Sequence, residues 1–120
     1  MSYARLLAAF LLLALSNVPA SAHAVLRKAV PAAGSTVQII PKAIALQFSE
    51  AVEPGLCRVV VRDATGAALE TGAPQTVPGD AKRLVVPLKL AKPGAYSVEW
   101  HAVSVDTHAS DGHFRFTVTP

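Results

Sequence analysis

Gly94-Ala95-Tyr96-Ser97-Val98-Glu99-Trp100-His101-Ala102-Val103 is the stretch from which the fold is read. Tyr96, Val98, Trp100 and Ala102 share one parity, while Ser97, Glu99 and His101 share the other. A period of two sends the first set to one face and the second set to the opposite face, which defines a half-buried β-strand. Trp100 is its core anchor, since one aromatic side chain buries on the order of 150 to 250 Å². Lys92-Pro93-Gly94 turns the chain into this strand. After a loop from Ser104 to Asp111, Phe114, Phe116 and Val118 alternate with His113, Arg115 and Thr117, so a last strand follows on the same logic.

Upstream, short apolar runs separated by turn residues repeat the pattern of an all-β sandwich or barrel. Val25 to Val30 is a first strand, ended by Pro31-Ala32-Ala33-Gly34-Ser35. Val37 to Ile40 extends an edge, stopped by Pro41. Ile44, Leu46 and Phe48 alternate with Ala45, Gln47 and Ser49. Cys57, Val59 and Val61 share the inward parity of the next strand, and Asp63 to Gly66 turns out of it. Ala67 to Asp80 is the hardest segment to assign, because Pro74, Pro78 and Gly79 disfavour a long central strand. Leu84 to Leu88 is expected at an edge, since Pro87 cannot donate to a ladder. About seven strands in fewer than 100 residues match the size of an immunoglobulin-like or related Greek-key sandwich.

The chain has 120 residues, and its beginning has a composition of its own. Arg5 is followed by an uninterrupted apolar run from Leu6 to Leu15, then by Ser16, Asn17 and Pro19 ahead of small residues. This is the pattern of a secretory signal peptide. A spanning helix needs about 20 apolar residues, so no stable membrane insertion is expected after cleavage. Ala20-Ser21-Ala22 is a cleavage site that makes residues 1–22 the leader and 23–120 one domain. Ala22-His23-Ala24 is a second such site, and the pattern does not choose between them. Losing the leader removes Arg5 alone, so the net charge of +3 falls to +2. The remaining lysines and arginines are scattered among eight acids, against the clustered basic face that nucleic acid requires. Cys57 is the single cysteine, so no intrachain disulfide forms, and its simplest role is as a small buried hydrophobe.

Cleavage after Ala22 would give His23 a free α-amine beside its imidazole. These two nitrogens close a chelate ring on a metal, and an α-amine ordinarily titrates at only about 7.7 to 8.0. Asp106 and His108 stand two residues apart in the loop between two confident strands, which holds both side chains on one short arc. Three nitrogens and one oxygen suit tetragonal Cu(II), whereas zinc prefers a tetrahedral set. Taken alone, Asp-x-His also fits a polar loop whose aspartate caps a turn. His101 and His113 point away from the core by parity. His113, just past the loop, is the better outside candidate for a weak or supporting ligand.

These features resemble the CopC family of periplasmic copper-resistance proteins, also called PcoC or YobA-like. The resemblance spans the whole domain after the leader. It rests on His23 in register, Pro31 to Gly34, Leu46-x-Phe48-Ser49-Glu50, Gly94-x-Tyr96-x-Val98-x-Trp100, Val103-Ser104-x-Asp106-x-His108 and Gly112-x-Phe114-x-Phe116. It implies a seven-stranded Greek-key barrel or sandwich related to cupredoxins. It also implies one Cu(II) per chain on His23, Asp106 and His108, with Glu50 as a weak or supporting ligand. Relatives that bind Cu(I) carry a methionine-rich loop, whereas Ala64 to Arg83 has no methionine here, so no Cu(I) site is expected. The implied role is non-enzymatic copper homeostasis in the periplasm, with a CopD-like inner-membrane copper transporter as partner. Two alternatives stay open. One is an N-terminal-His copper monooxygenase, for which this chain lacks an aromatic platform. The other is a metal-free immunoglobulin-like module.

Overall fold

The computed structural model describes residues 23–69, 71–89 and 92–120. The leader and its cleavage site lie outside the described residues. The strands are β1 (Leu26–Val30), β2 (Thr36–Val37), β3 (Ala43–Phe48), β4 (Arg58–Arg62), β5 (Gln75–Val77), β6 (Asp80–Pro87), β7 (Gly94–Val103) and β8 (Ala109–Val118). They form a sandwich of two four-stranded sheets, ordered β1-β3-β6-β5 and β2-β8-β7-β4. The expectation of seven strands becomes eight because β5 emerges from the stretch that resisted assignment. The proposed edge after Val37 shrinks to the two residues of β2, which run parallel to β8.

Alternation explains which residues reach the core. Every second residue of β7 from Tyr96 to Ala102 is buried, as are Phe114, Phe116 and Val118 of β8. Ile44, Leu46 and Phe48 of β3 face them from the other sheet, and Leu84 and Val86 of β6 are also fully buried. Two aromatic contacts cross-brace the interior. Phe48 meets Trp100 edge to face with centroids 5.4 Å apart, and Tyr96 stacks on Phe116 at 5.5 Å. Such pairs add to the burial of their area through the ring quadrupoles.

One assignment needs correction. The Leu84 to Leu88 strand is not an edge: β6 lies between β3 and β5. Pro87 is the last residue of β6 and pairs with Ala43 at the end of the ladder. A missing N–H costs little there, so proline marks where this strand stops and says nothing of its place in the sheet.

β7 and β8 pair over their full length, from Gly94 opposite Val118 to Val103 opposite Ala109. The loop expected from Ser104 to Asp111 therefore contracts to Ser104–His108. Within this ladder Trp100 stands opposite Gly112, and the indole occupies the space a side chain there would need. A Cβ built on Gly112 would lie 2.3 Å from Trp100 Cζ2 and 2.5 Å from Cε2. Backbone holds the glycine and the core holds the ring, so neither can yield easily. Gly112→Ala should cost about 1 to 3 kcal/mol, the usual range for overpacking. In a domain this small that lowers the thermal midpoint by roughly 4 to 8 °C per kcal/mol. A thermal melt unchanged from wild type would show that Trp100 has room to move aside.

Candidate metal centre

The β7–β8 connection is a three-residue loop, Val105-Asp106-Thr107, closed by Ser104 and His108. Ser104 N–H donates to the His108 carbonyl at 2.9 Å, and Thr107 N–H donates to the Ser104 carbonyl at 2.9 Å. Thr107 has a φ of 73°. A turn followed by one left-handed residue is a common way to build a three-residue hairpin loop. Glycine or asparagine is at ease in that position, whereas the left-handed conformation costs an ordinary L-residue about 1 to 2 kcal/mol. The long ladder behind the loop holds Thr107 there, and the residues on either side of it are Asp106 and His108.

Ser104 organises both. It is 1% exposed, and its hydroxyl donates to Asp106 Oδ1 while accepting the His108 N–H at 3.2 Å. Asp106 Oδ1 also lies 3.5 Å from His108 Nδ1. The Ser104 hydrogen bond, opposed by partial desolvation and assisted by His108, holds the Asp106 carboxyl below its ordinary value. Both interactions fall on one carboxylate oxygen.

The third group arrives from the other end of the domain. Val25 N–H donates to Ser49 Oγ at 2.9 Å, and Ser49 N–H returns a bond to the Val25 carbonyl at 2.8 Å. Ser110 Oγ donates to the Ala24 carbonyl at 2.6 Å, and Ala24 is buried. Thus the segment before β1 is clamped between the end of β3 and the start of β8. His23 therefore lies beside the hairpin loop. Its Nδ1 is 3.1 Å from the Ala109 carbonyl, 86 residues away in sequence. Its ring meets that of His108 edge-on, with centroids 5.3 Å apart.

The spacing of the two imidazoles is one that a single metal ion permits. With metal–nitrogen bonds of about 2.0 Å, two imidazoles sharing an ion hold their centres roughly 4.5 to 6.3 Å apart, and the observed spacing lies inside that range. Among the described residues no three His, Cys, Asp or Glu side chains already converge on one point. The rings and the carboxylate are solvent-exposed, so rotation about side-chain bonds is what remains to close the set.

The structure separates the two supporting candidates. Glu50 sits at the same end: Ser49 before it is tied to Val25, and the carbonyl of Ala51 after it accepts the Val105 N–H at 3.0 Å. His113 does not. It lies four residues beyond Ala109, about 13 Å along β8 at roughly 3.3 Å per residue, and faces Glu99 on the outer surface of its sheet. Cys57 is buried, with Sγ 3.1 Å from the Glu53 carbonyl. Burial pushes its thiol up, away from the thiolate a soft metal would need.

Ser104, Ser49 and Ser110 are the functional residues that sequence reasoning passed over. The first two stood inside quoted motifs, but a serine in a strand or loop gives no sign that its hydroxyl braces a neighbouring segment.

The chain is thus a small β-sandwich with two imidazoles and a carboxylate gathered at one end. Residues 26–119 match the model of the CopC domain, and the chain belongs to that family. The match begins after His23, so that residue is placed by the structure rather than by the family pattern. The chain is 42% identical over 98 residues to protein YobA of Escherichia coli strain K12, covering 81% of this chain and 79% of the relative. It is 36% identical over 106 residues to copper resistance protein C of Escherichia coli, covering 82% and 83%. Among solved structures it resembles CopC from Methylosinus trichosporium OB3b, with a TM-score of 0.77, 28% identity and coverage of 82% and 95%. PcoC, a methionine-rich copper resistance protein from Escherichia coli, gives a TM-score of 0.72, 30% identity and coverage of 82% and 100%. The family is one of copper-resistance proteins, not of enzymes.

A folded-state carboxyl held below its unfolded value stabilises the protein above the ordinary carboxylate range, and that contribution fades as pH falls through the folded value. Removing the Ser104 hydroxyl should raise the Asp106 titration toward the ordinary range. In Ser104→Ala, a carboxyl-detected NMR titration should show this shift together with a lower thermal midpoint. An Asp106 titration identical to wild type would rule out the hydroxyl as its controlling partner.

Proposed function

We propose that this protein is a periplasmic Cu(II) carrier for copper homeostasis and resistance. It holds one ion on His23, Asp106 and His108 and exchanges it with a CopD-like inner-membrane transporter. The observation that carries the reading is the meeting of His23 with His108, brought about by a clamp of serine hydrogen bonds at one end of the sandwich. Copper is cargo here, and the relatives named for copper resistance support that choice of metal.

Cleavage after Ala22 would turn the His23 backbone nitrogen into an amine. A chelate through that amine and the same residue's ring closes through Nδ1, since Nε2 is too distant to join it. Nδ1 must then leave the Ala109 carbonyl, while Ala24 stays anchored by Ser110. The imidazole of His108 and the carboxylate of Asp106, freed from each other by side-chain rotation, complement it from the loop. Glu50 stands near enough along the backbone to act as a weak or supporting oxygen donor. All the nitrogens ligate in their unprotonated form, so affinity falls as pH drops. Nitrogen and oxygen donors without a thioether favour Cu(II) over Cu(I), and the chain's only methionine is Met1.

The exported protein should have an intact mass that begins at His23. Titrated with Cu(II), it should take up one tight equivalent with nitrogen hyperfine structure in its paramagnetic resonance spectrum. His23→Ala and His108→Ala should each weaken binding beyond the roughly 10- to 100-fold that follows loss of an outer-sphere partner. A mass beginning at Val25, or an affinity unmoved by either substitution, would falsify the assignment.

A further inference from the structure

A second group of nitrogen and oxygen donors lies on the outer face of the β4–β7–β8 sheet, away from the hairpin loop. Strand register places Arg58, His101 and Asp111 in one row across the three strands, and Val60, Glu99 and His113 in the next. These six residues line an open groove of about 610 Å³. The copper site proposed above uses none of them.

The two rows set four donor-bearing residues, His101, Asp111, Glu99 and His113, at adjacent positions on one face. His101 Nδ1 is 2.6 Å from Asp111 Oδ1. A neutral imidazole that donates Nδ1–H to this carboxylate presents Nε2 as a lone-pair donor, with its tautomer and ring plane fixed by the bond. Glu99 stands directly opposite His113, where Cβ atoms are about 4.5 to 5.5 Å apart, and His113 is diagonal to His101 at about 7 to 8 Å. Imidazoles at such a spacing can close on one ion from the same side of a sheet. Glu99 pairs with Arg62 at 3.9 Å, with side chains 58% and 41% exposed. Solvated pairs of this kind contribute about 0 to 1 kcal/mol, so a divalent ion can displace the guanidinium.

We propose that His101 and His113, with Glu99 as oxygen ligand and Asp111 as the positioning residue for His101, form a second and weaker site for a divalent late transition-metal ion. Two imidazoles and a carboxylate suit Cu(II), Ni(II) or Zn(II). The site closes by rotation of side chains at the surface, which makes it weaker than one anchored by a chelating terminus. Arg58, in the same row as His101, adds a repelling charge and weakens it further. The chain's four histidines thus divide into two pairs at separate sites.

Cu(II) titration of the mature protein by calorimetry and paramagnetic resonance tests this. Wild type should bind two successive equivalents. The H101Q/H113Q variant should lose the weaker and keep the tighter. H108A should lose the tighter and keep the weaker, so failure at the sandwich end and failure on the sheet face are told apart. D111N should weaken the second equivalent about 10- to 100-fold, with recovery in D111E, and R58Q should tighten it. Persistence of the weaker equivalent in H101Q/H113Q, or no second equivalent at millimolar Cu(II), would overturn the proposal.

Discussion

The buried hydroxyl of Ser104 is the constraint on which the metal-site end of the molecule depends. It sits where two ten-residue strands meet, inside the protein, and the loop beyond it has only three residues. With the ladder closed on both sides, the loop must bend back at once, and Thr107 takes a left-handed conformation to do so. The hydroxyl then donates to the Asp106 carboxylate and holds its titration below the ordinary range. One buried polar group thereby ties the Asp106 carboxylate and the His108 backbone to the same point of the loop. The N-terminal segment is fixed by the same means, through Ser49 and Ser110.

Much of the sandwich was legible in the chain because period-two alternation is a strong signal where one face is buried. Trp100, Phe48, Phe114 and Phe116 all went where their parity sent them. The expectation of a β-sandwich holds, and the family match agrees with the resemblance first drawn from the motifs. What escaped were features set by pairing rather than by pattern. β5 is three residues amid prolines and glycine, too short for periodicity to show. Pro87 was taken as an edge marker because sequence does not tell the last rung of a ladder from a middle one. The contraction of the final loop was missed because Ala109 to Asp111 looks polar and turn-like, yet it pairs with Val103 to His101 as regular strand.

The site was legible in its residue types but not in its supports. His23, Asp106 and His108 could be singled out from chemistry, since amine, imidazole and carboxylate are what a hard-to-borderline cation seeks. His113 was the natural outside candidate by proximity in sequence, and strand rise carries it about 13 Å away from Ala109. Distance along a strand grows about twice as fast per residue as along a helix. A histidine five positions from another on an extended chain is therefore in a different neighbourhood. The same register brings His113 level with Glu99 and diagonal to His101, a relation invisible until β7 and β8 are aligned.

The contact between His23 and the Ala109 carbonyl spans nearly the whole domain, and that span governs when His23 and His108 can meet. A chain released front end first presents one imidazole long before the other, and the two meet only after the closing hairpin has joined the sheet. The two rings thus become neighbours only late in folding, and their meeting marks a completed sandwich.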